Sequence, residues 1–158
     1  FMDRLQLQWE RWQRGRGEFA VAIVDIDHFK RVNDSRGHPE GDRVLKRVAE
    51  SMAARVRPFD TLARLGGEEF VVLLDLGREE VDIAQLGERL RQGIESMEVW
   101  PAEPQARVTV SIGMARVQPN DAATGPEQIL KRADDALYAA KHAGRNRVVL
   151  DANPAAVA

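Results

Sequence analysis

Four acidic side chains fall into two tight groups, Asp25-Ile26-Asp27 and Glu68-Glu69, and each group adjoins a strongly apolar run. In an extended chain side chains alternate with a period of two, so Asp25 and Asp27 project to one face and Ile26 to the other. Two carboxylates at the end of a buried strand repel unless a cation or solvent relieves them. Either the strand ends there with both acids solvated, or the pair serves a cation. Glu68-Glu69 follows Gly66-Gly67 at the tip of an expected hairpin, where acids are ordinarily solvated turn residues. If that hairpin lies beside the Asp25 strand, three or four carboxylates converge without histidine or cysteine. Such a hard-oxygen set suits Mg²⁺ or Mn²⁺, and Mg²⁺ held by few carboxylates completes its shell with water and substrate phosphates. That chemistry points toward nucleotides.

Two further segments carry polar groups suited to a nucleotide. Phe29-Lys30-Arg31-Val32-Asn33-Asp34 runs on to Gly37-His38-Pro39-Glu40-Gly41-Asp42. Backbone N–H groups after a strand, with Lys30, can hold a phosphate. Asn33 and Asp42 supply the amide and carboxylate that a guanine edge requires, although Asn and Asp near glycine also serve as plain turn residues. Lys141-His-Ala-Gly-Arg145-Asn-Arg147 closes the last expected helix, and basic residues there also complement the helix dipole.

The elements that must position these residues follow from periodicity. Phe1, Leu5, Trp9 and Trp12 lie at helical spacing over 1–14, an amphipathic helix with no cap at its start, which implies continuation from an upstream linker. Phe19–Val24 reads as a buried strand, and Gly41–Val56 as a helix ended by Pro58. Thr61–Leu65 and Phe70–Leu74 flank the Gly-Gly hairpin signal. A helix is expected from about Glu79 to Met97, a strand over Val108–Ile112, and a helix opening at Thr124-Gly-Pro-Glu127 with a capping-box spacing and stopping at Gly144. Arg147–Leu150 closes as a strand. Five strands alternating with helices, interrupted by a hairpin, predict an α/β (α+β) domain over 1–151 with a central mixed or antiparallel sheet, followed by a tail over 152–158.

Composition narrows the function classes. The chain has 158 residues with 23 basic against 25 acidic side chains, a balance that argues against a nucleic-acid partner. Without cysteine, disulfides, thiol nucleophiles and Cys-ligated zinc are excluded. His28, His38 and His142 are scattered along the chain. No apolar run reaches the ~18 residues of a membrane span, and the N-terminal residues do not read as a signal peptide. A cytoplasmic domain is expected, with room for a membrane-anchored parent.

Taken together, the motifs make the chain resemble the GGDEF family, the diguanylate cyclases, over nearly its whole length. The matching stretches are Val24-Asp-Ile-Asp-His-Phe-Lys-Arg-Val-Asn-Asp34, Gly37-His38, Gly41-Asp42, Arg64-Leu-Gly-Gly-Glu-Glu-Phe70, Val110-Ser-Ile-Gly113, and Ala133-Asp-Asp-Ala-Leu-Tyr-Ala-Ala-Lys141 through Gly144-Arg-Asn146. The resemblance implies a palm-like fold, as in class III nucleotide cyclases, and the condensation of two GTP into cyclic di-GMP with release of two pyrophosphates across a homodimer of facing half-sites. It implies that Asp25, the Ile26 carbonyl and Glu68 hold Mg²⁺ or Mn²⁺, two ions per pair of half-sites. Glu69 becomes a further acid near the metals or the attacking hydroxyl. Asn33 and Asp42 would read guanine, Phe29 and Lys30 would lie by the phosphates, and Lys141 and Arg145 would neutralise the triphosphate.

Arg57-Pro-Phe-Asp60 ends five residues before the signature's first glycine, as does the family's inhibitory site for cyclic di-GMP, with Arg89 as a secondary contact from a neighbouring subunit. A local Arg57–Asp60 ion pair is the simpler alternative. The chain begins after the position where the family usually carries an Asp-x-Leu-Thr-Gly-Leu-x-Asn-Arg stretch, and the resemblance leads one to expect an upstream sensor or dimerisation domain in the parent protein. Two rivals remain: a non-catalytic receptor for GTP or cyclic di-GMP, and another palm-type cyclase. The intact Asp25, Glu68 and Glu69 oppose the first, and the guanine-reading pair opposes the second.

Overall fold

The longest apolar run of the chain becomes its central strand. In the computed structural model, which describes residues 1–78 and 80–152, β1 (Glu18–Ile26) lies between β3 (Glu69–Gly77) and β4 (Val110–Arg116), antiparallel to both. β2 (Thr61–Gly66) pairs antiparallel with β3, and β5 (Val148–Leu150) pairs parallel with β4. The order β2-β3-β1-β4-β5 is the mixed five-stranded sheet that the sequence predicts.

Both faces of β1 are covered, which is why its sequence is continuously apolar rather than alternating. Ala20, Ala22, Val24 and Ile26 face one layer, built by α2 (Phe29–Arg36), α3 (His38–Ala53) and α4 (Ile83–Glu95). Phe19, Val21 and Ile23 face the other, built by α1 (Met2–Gln13) and α5 (Glu127–His142) through Leu5, Trp9, Ile129, Ala133 and Leu137. Continuing the period of two carries Asp25 and Asp27 onto the α5 side.

α5 approaches the sheet closely because β4 has a glycine beneath it. A Cβ at Gly113 would fall onto the backbone of Ala133 and Leu137. This contact sets the height of α5 over β1, and with it the position of Lys141, one turn beyond Leu137.

Several boundaries differ from the sequence reading. Phe29–Arg36 is a separate helix, although only Phe29 in it is buried. α3 starts at His38 rather than Gly41 and ends at Ala53, before Pro58. α4 starts at Ile83 because the Asp82 carboxylate accepts the N–H groups of Ala84 and Gln85 as an N-cap. β4 lies over Val110–Arg116, beyond Gly113, rather than over Val108–Ile112. The capping box is not at Thr124–Glu127. It closes the preceding 3₁₀ turn, Pro119–Ala123, between Gln118 and Asp121, and α5 begins at Glu127 without a side-chain cap. The expected 152–158 tail falls outside the described residues from 153 on. Among the described residues, no helix is long and apolar enough to cross a membrane.

Candidate active site

The β2–β3 hairpin brings the two acidic groups to the same end of the sheet. Gly66 pairs with Glu69 around a Gly67-Glu68 turn, with φ of 151° at Gly66 and 53° at Gly67, backbone that glycine adopts without strain. Arg64 fastens the turn by donating from Nε and Nη2 to the Gly67 carbonyl at 2.9 and 2.7 Å. Across the sheet Asp25 is the register partner of Glu69, and the Ile26 N–H donates to the Glu68 carbonyl at 3.3 Å. Asp25, Ile26, Glu68 and Glu69 therefore share one strand end.

Asp25 and Asp27, equivalent in sequence, have different fates. Asp27 is 7% exposed and satisfied by the protein itself: Thr109 Oγ1 donates to Oδ2 at 2.7 Å, Ser111 Oγ to Oδ1 at 2.7 Å, and the Asn146 N–H to Oδ2 at 3.0 Å. It ties β1, β4 and the turn after α5 together, a role its sequence neighbourhood did not reveal. Asp25 meets one donor, Lys141 Nζ, at 2.9 Å. Burial pushes the Asp25 carboxyl above its ordinary range; Lys141 pulls it back through a hydrogen bond and its charge, and the charges of Glu68 and Glu69 push it up again. An acid raised by burial and two neighbouring acids, with an ammonium against it, marks a place that attracts positive charge. Among the described residues no three His, Cys, Asp or Glu side chains are gathered tightly enough to hold a metal ion between them. Asp25 and the Glu68-Glu69 pair are neighbours without forming a closed cage. The donors fit Mg²⁺ or Mn²⁺ nonetheless, because these ions need few protein carboxylates when phosphate and water complete the shell.

The turn after α5 presents Arg145. Gly144, Arg145 and Asn146 all have positive φ (112°, 62° and 44°), which disfavours the two non-glycine residues. Asn146 offsets that strain through its bond to Asp27, through Nδ2 donating to Glu95 Oε1 at 2.8 Å, and through Oδ1 accepting from Arg91 at 2.7 Å.

The guanine-reading candidates stand on α2 and α3. A Cβ at Gly41 would fall onto Asn33 Oδ1, so this glycine makes room for Asn33 against α3, next to exposed Asp42. Asp42 borders an open cleft of about 660 Å³ between α3 and the hairpin, walled by Leu45, Ala49, Leu62, Arg64 and Phe70. From sequence Leu45 reads only as an apolar position of the helix and Ala49 carries no signal, although their spacing of three and seven residues from Asp42 places all three on one helix face. Phe29 is buried at the start of α2, while Lys30 is exposed and paired with Asp34 at 2.9 Å.

Arg57 and Asp60 form the local ion pair. Asp60 accepts from Arg57 N, Nε and Nη2 at 2.9, 3.2 and 3.3 Å and from the Asp75 N–H at 3.1 Å, and its side chain is only 1% exposed. Arg57 lies over the exposed Phe59 ring and donates to the Asp75 carbonyl at 2.8 Å. Arg89 donates to the Arg55 carbonyl at 2.9 Å, two residues before Arg57.

The family model for "Diguanylate cyclase, GGDEF domain" matches residues 1–147. The chain is 48% identical over 136 residues to the probable diguanylate cyclase DgcT of Escherichia coli (strain K12), covering 84% of this chain and 29% of that protein. It is 44% identical over 147 residues to the diguanylate cyclase DgcP of Pseudomonas aeruginosa, covering 92% of this chain and 21% of that protein. Among solved structures, the active GGEEF domain of a diguanylate cyclase from Vibrio cholerae superposes with a TM-score of 0.86 at 28% identity, over 96% of this chain and 94% of the other. The GGDEF domain of DgcB from Caulobacter crescentus in complex with c-di-GMP gives 0.84 at 35% identity, over 96% and 88%. The chain belongs to the GGDEF family of diguanylate cyclase domains. It spans between a fifth and a third of the length of these curated relatives.

Proposed function

We propose that this chain is a catalytic diguanylate cyclase domain that condenses two GTP into cyclic di-GMP and two pyrophosphates across a dimer of facing half-sites. The supporting observation is the intact acidic strand end, where the hairpin sets Glu68 and Glu69 against a raised, Lys141-paired Asp25 beside the Asp42 cleft. In each half-reaction a ribose 3′-oxygen bonds to the α-phosphorus of the opposite GTP, the bond from that phosphorus to the β-phosphate bridge breaks, and pyrophosphate leaves. Asp25, the Ile26 carbonyl and Glu68 would hold Mg²⁺ or Mn²⁺, which when bound would supply positive charge to the transferring phosphoryl group.

The remaining work belongs to the chain's own groups. Glu69 accepts the proton of the attacking hydroxyl. Lys141 moves from Asp25 onto the triphosphate, joined by Arg145, and Lys30 and the N–H groups at the start of α2 hold its outer oxygens. Asn33 and Asp42 bond the guanine edge; adenine would leave those partners unpaired, a defect that discriminates by several kcal/mol. Product feedback acts through the Arg57 guanidinium, oriented by Asp60.

The test is incubation with GTP and Mg²⁺ and identification of the product by mass. Cyclic di-GMP supports the proposal, whereas GTP binding without turnover would give the receptor reading instead.

A further inference from the structure

α2 and α3 are joined by one residue, Gly37, whose φ of 85° is glycine backbone. The angle at this joint sets the spacing between Asn33 on α2 and Asp42 on α3. α2 packs on the core only through Phe29, its one buried residue, and half-buried Val32, so polar contacts also bear on the angle. Trp100, in the connection between α4 and β4, touches both sides of the joint. The Arg36 guanidinium at the end of α2 stacks over its ring at 4.1 Å from the centroid. Its Nε1 donates at 2.7 Å to Glu40 Oε2, in the first turn of α3. Arg36 is held in that stack by a two-pronged bond to Glu103, at 2.8 and 2.7 Å, three residues beyond Trp100. Trp100 is 9% exposed, so the ring is the buried element of these contacts, while the Arg36–Glu103 pair lies at the surface, 28% and 46% exposed.

We infer that Trp100, with Arg36, Glu40 and Glu103, is a strut that fixes the α2–α3 angle and so positions Asn33 and Asp42 for the guanine base. This rests on the reading that those two residues recognise guanine. The strut touches no reacting atom, and its members are positioning residues. A planar indole can take a stacked cation on its face and an acceptor at its edge together; Trp100→Phe keeps the ring face and removes the donor.

The test combines two measurements on native protein and Trp100→Phe. In the first, spin labels are attached to Ser35→Cys on α2 and Arg47→Cys on α3, in a chain with no other cysteine. The interlabel distance distribution should broaden in the Trp100→Phe background. In the second, steady-state kinetics should show KM for GTP raised about 5- to 20-fold with kcat changed less than about 2-fold, and preference for GTP over ATP reduced in step. In an Asn33→Ala, Asp42→Ala background Trp100→Phe should add nothing further, because the strut acts through those two contacts. An unchanged distance distribution overturns the strut. Broadening without a change in KM or base preference overturns its role in positioning the base pair. A native protein indifferent to GTP and ATP instead refutes the guanine reading, which the native arm alone reveals, and the positioning role falls with it.

Discussion

Gly113→Ala tests how the fold sets the site. The added Cβ meets backbone atoms rather than a side chain that could swing aside, including Leu137 Cα at 2.7 Å. Ordinary contacts begin near 3.4 Å, and Leu137 N and the Ala133 carbonyl oxygen are nearer still, so α5 must lift by at least about 1 Å. Overpacking a core typically costs about 1–3 kcal/mol, and a rigid helix over an inner strand belongs at the top of that range. At roughly 2–4 °C per kcal/mol for a domain of this size, 3 kcal/mol lowers the Tm by about 6–12 °C. Lys141 lies one turn beyond Leu137, so the lift also strains its 2.9 Å contact with Asp25. A misplacement of about 1 Å at a reacting centre can reduce turnover about 100-fold. Thermal melts by circular dichroism, with GTP turnover measured well below the transition, read both effects. A Tm within about 2 °C of native, with native turnover, would refute the claim that this contact sets the height of α5.

Gly41→Ala contrasts with this, because its Cβ meets the movable Asn33 side chain. Alanine's helix propensity keeps the Tm at or above native, while KM for GTP rises about 10-fold; a native KM would show that Asn33 does not bind the base. Asp25→Asn should raise the Tm at neutral pH. Burial first, then Glu68 and Glu69, lift the native carboxyl above its ordinary range, so its ionised form opposes folding at neutral pH, and that opposition is relieved as pH falls through the raised value. The advantage of the variant should shrink on acidification; an advantage that grows toward low pH would contradict the sign. Arg57→Ala should keep catalysis and weaken inhibition by added cyclic di-GMP about 10- to 100-fold, from ~1.5–3 kcal/mol of charge-assisted bonding. Superimposable inhibition curves for native and variant would leave Arg57 a structural partner of Asp60 and Asp75.

Much of this architecture was legible in the sequence because the signals were local. The uninterrupted apolar run of β1 and the Gly66-Gly67 punctuation before Phe70 need no distant partner to be recognised, and they fix where Asp25 and Glu68 meet. α2 was not legible as a helix. Its residues are mostly polar, only Phe29 and Val32 pack on the core, and its contacts with Gly41 and Trp100 come from elsewhere in the chain, which no periodicity reveals. Asp27 was read with Asp25 as one acidic pair because the residues that distinguish them lie 82, 84 and 119 positions along the chain. The expected strand stops at Ile112, one residue short of Gly113, whose place beneath a helix pressing on the sheet depends on distant residues Ala133 and Leu137.

Glu68→Gln gives the most direct measurement of the central claim. Native protein and variant, matched in concentration and in circular dichroism spectrum, are incubated with GTP and Mg²⁺ while cyclic di-GMP and pyrophosphate are quantified together. The native protein should release two pyrophosphates per cyclic di-GMP, and the variant should form neither, because a neutral amide cannot replace a hard anionic oxygen at the strand end. Equal rates from the two proteins would show that the chemistry takes place away from the hairpin, contradicting the account.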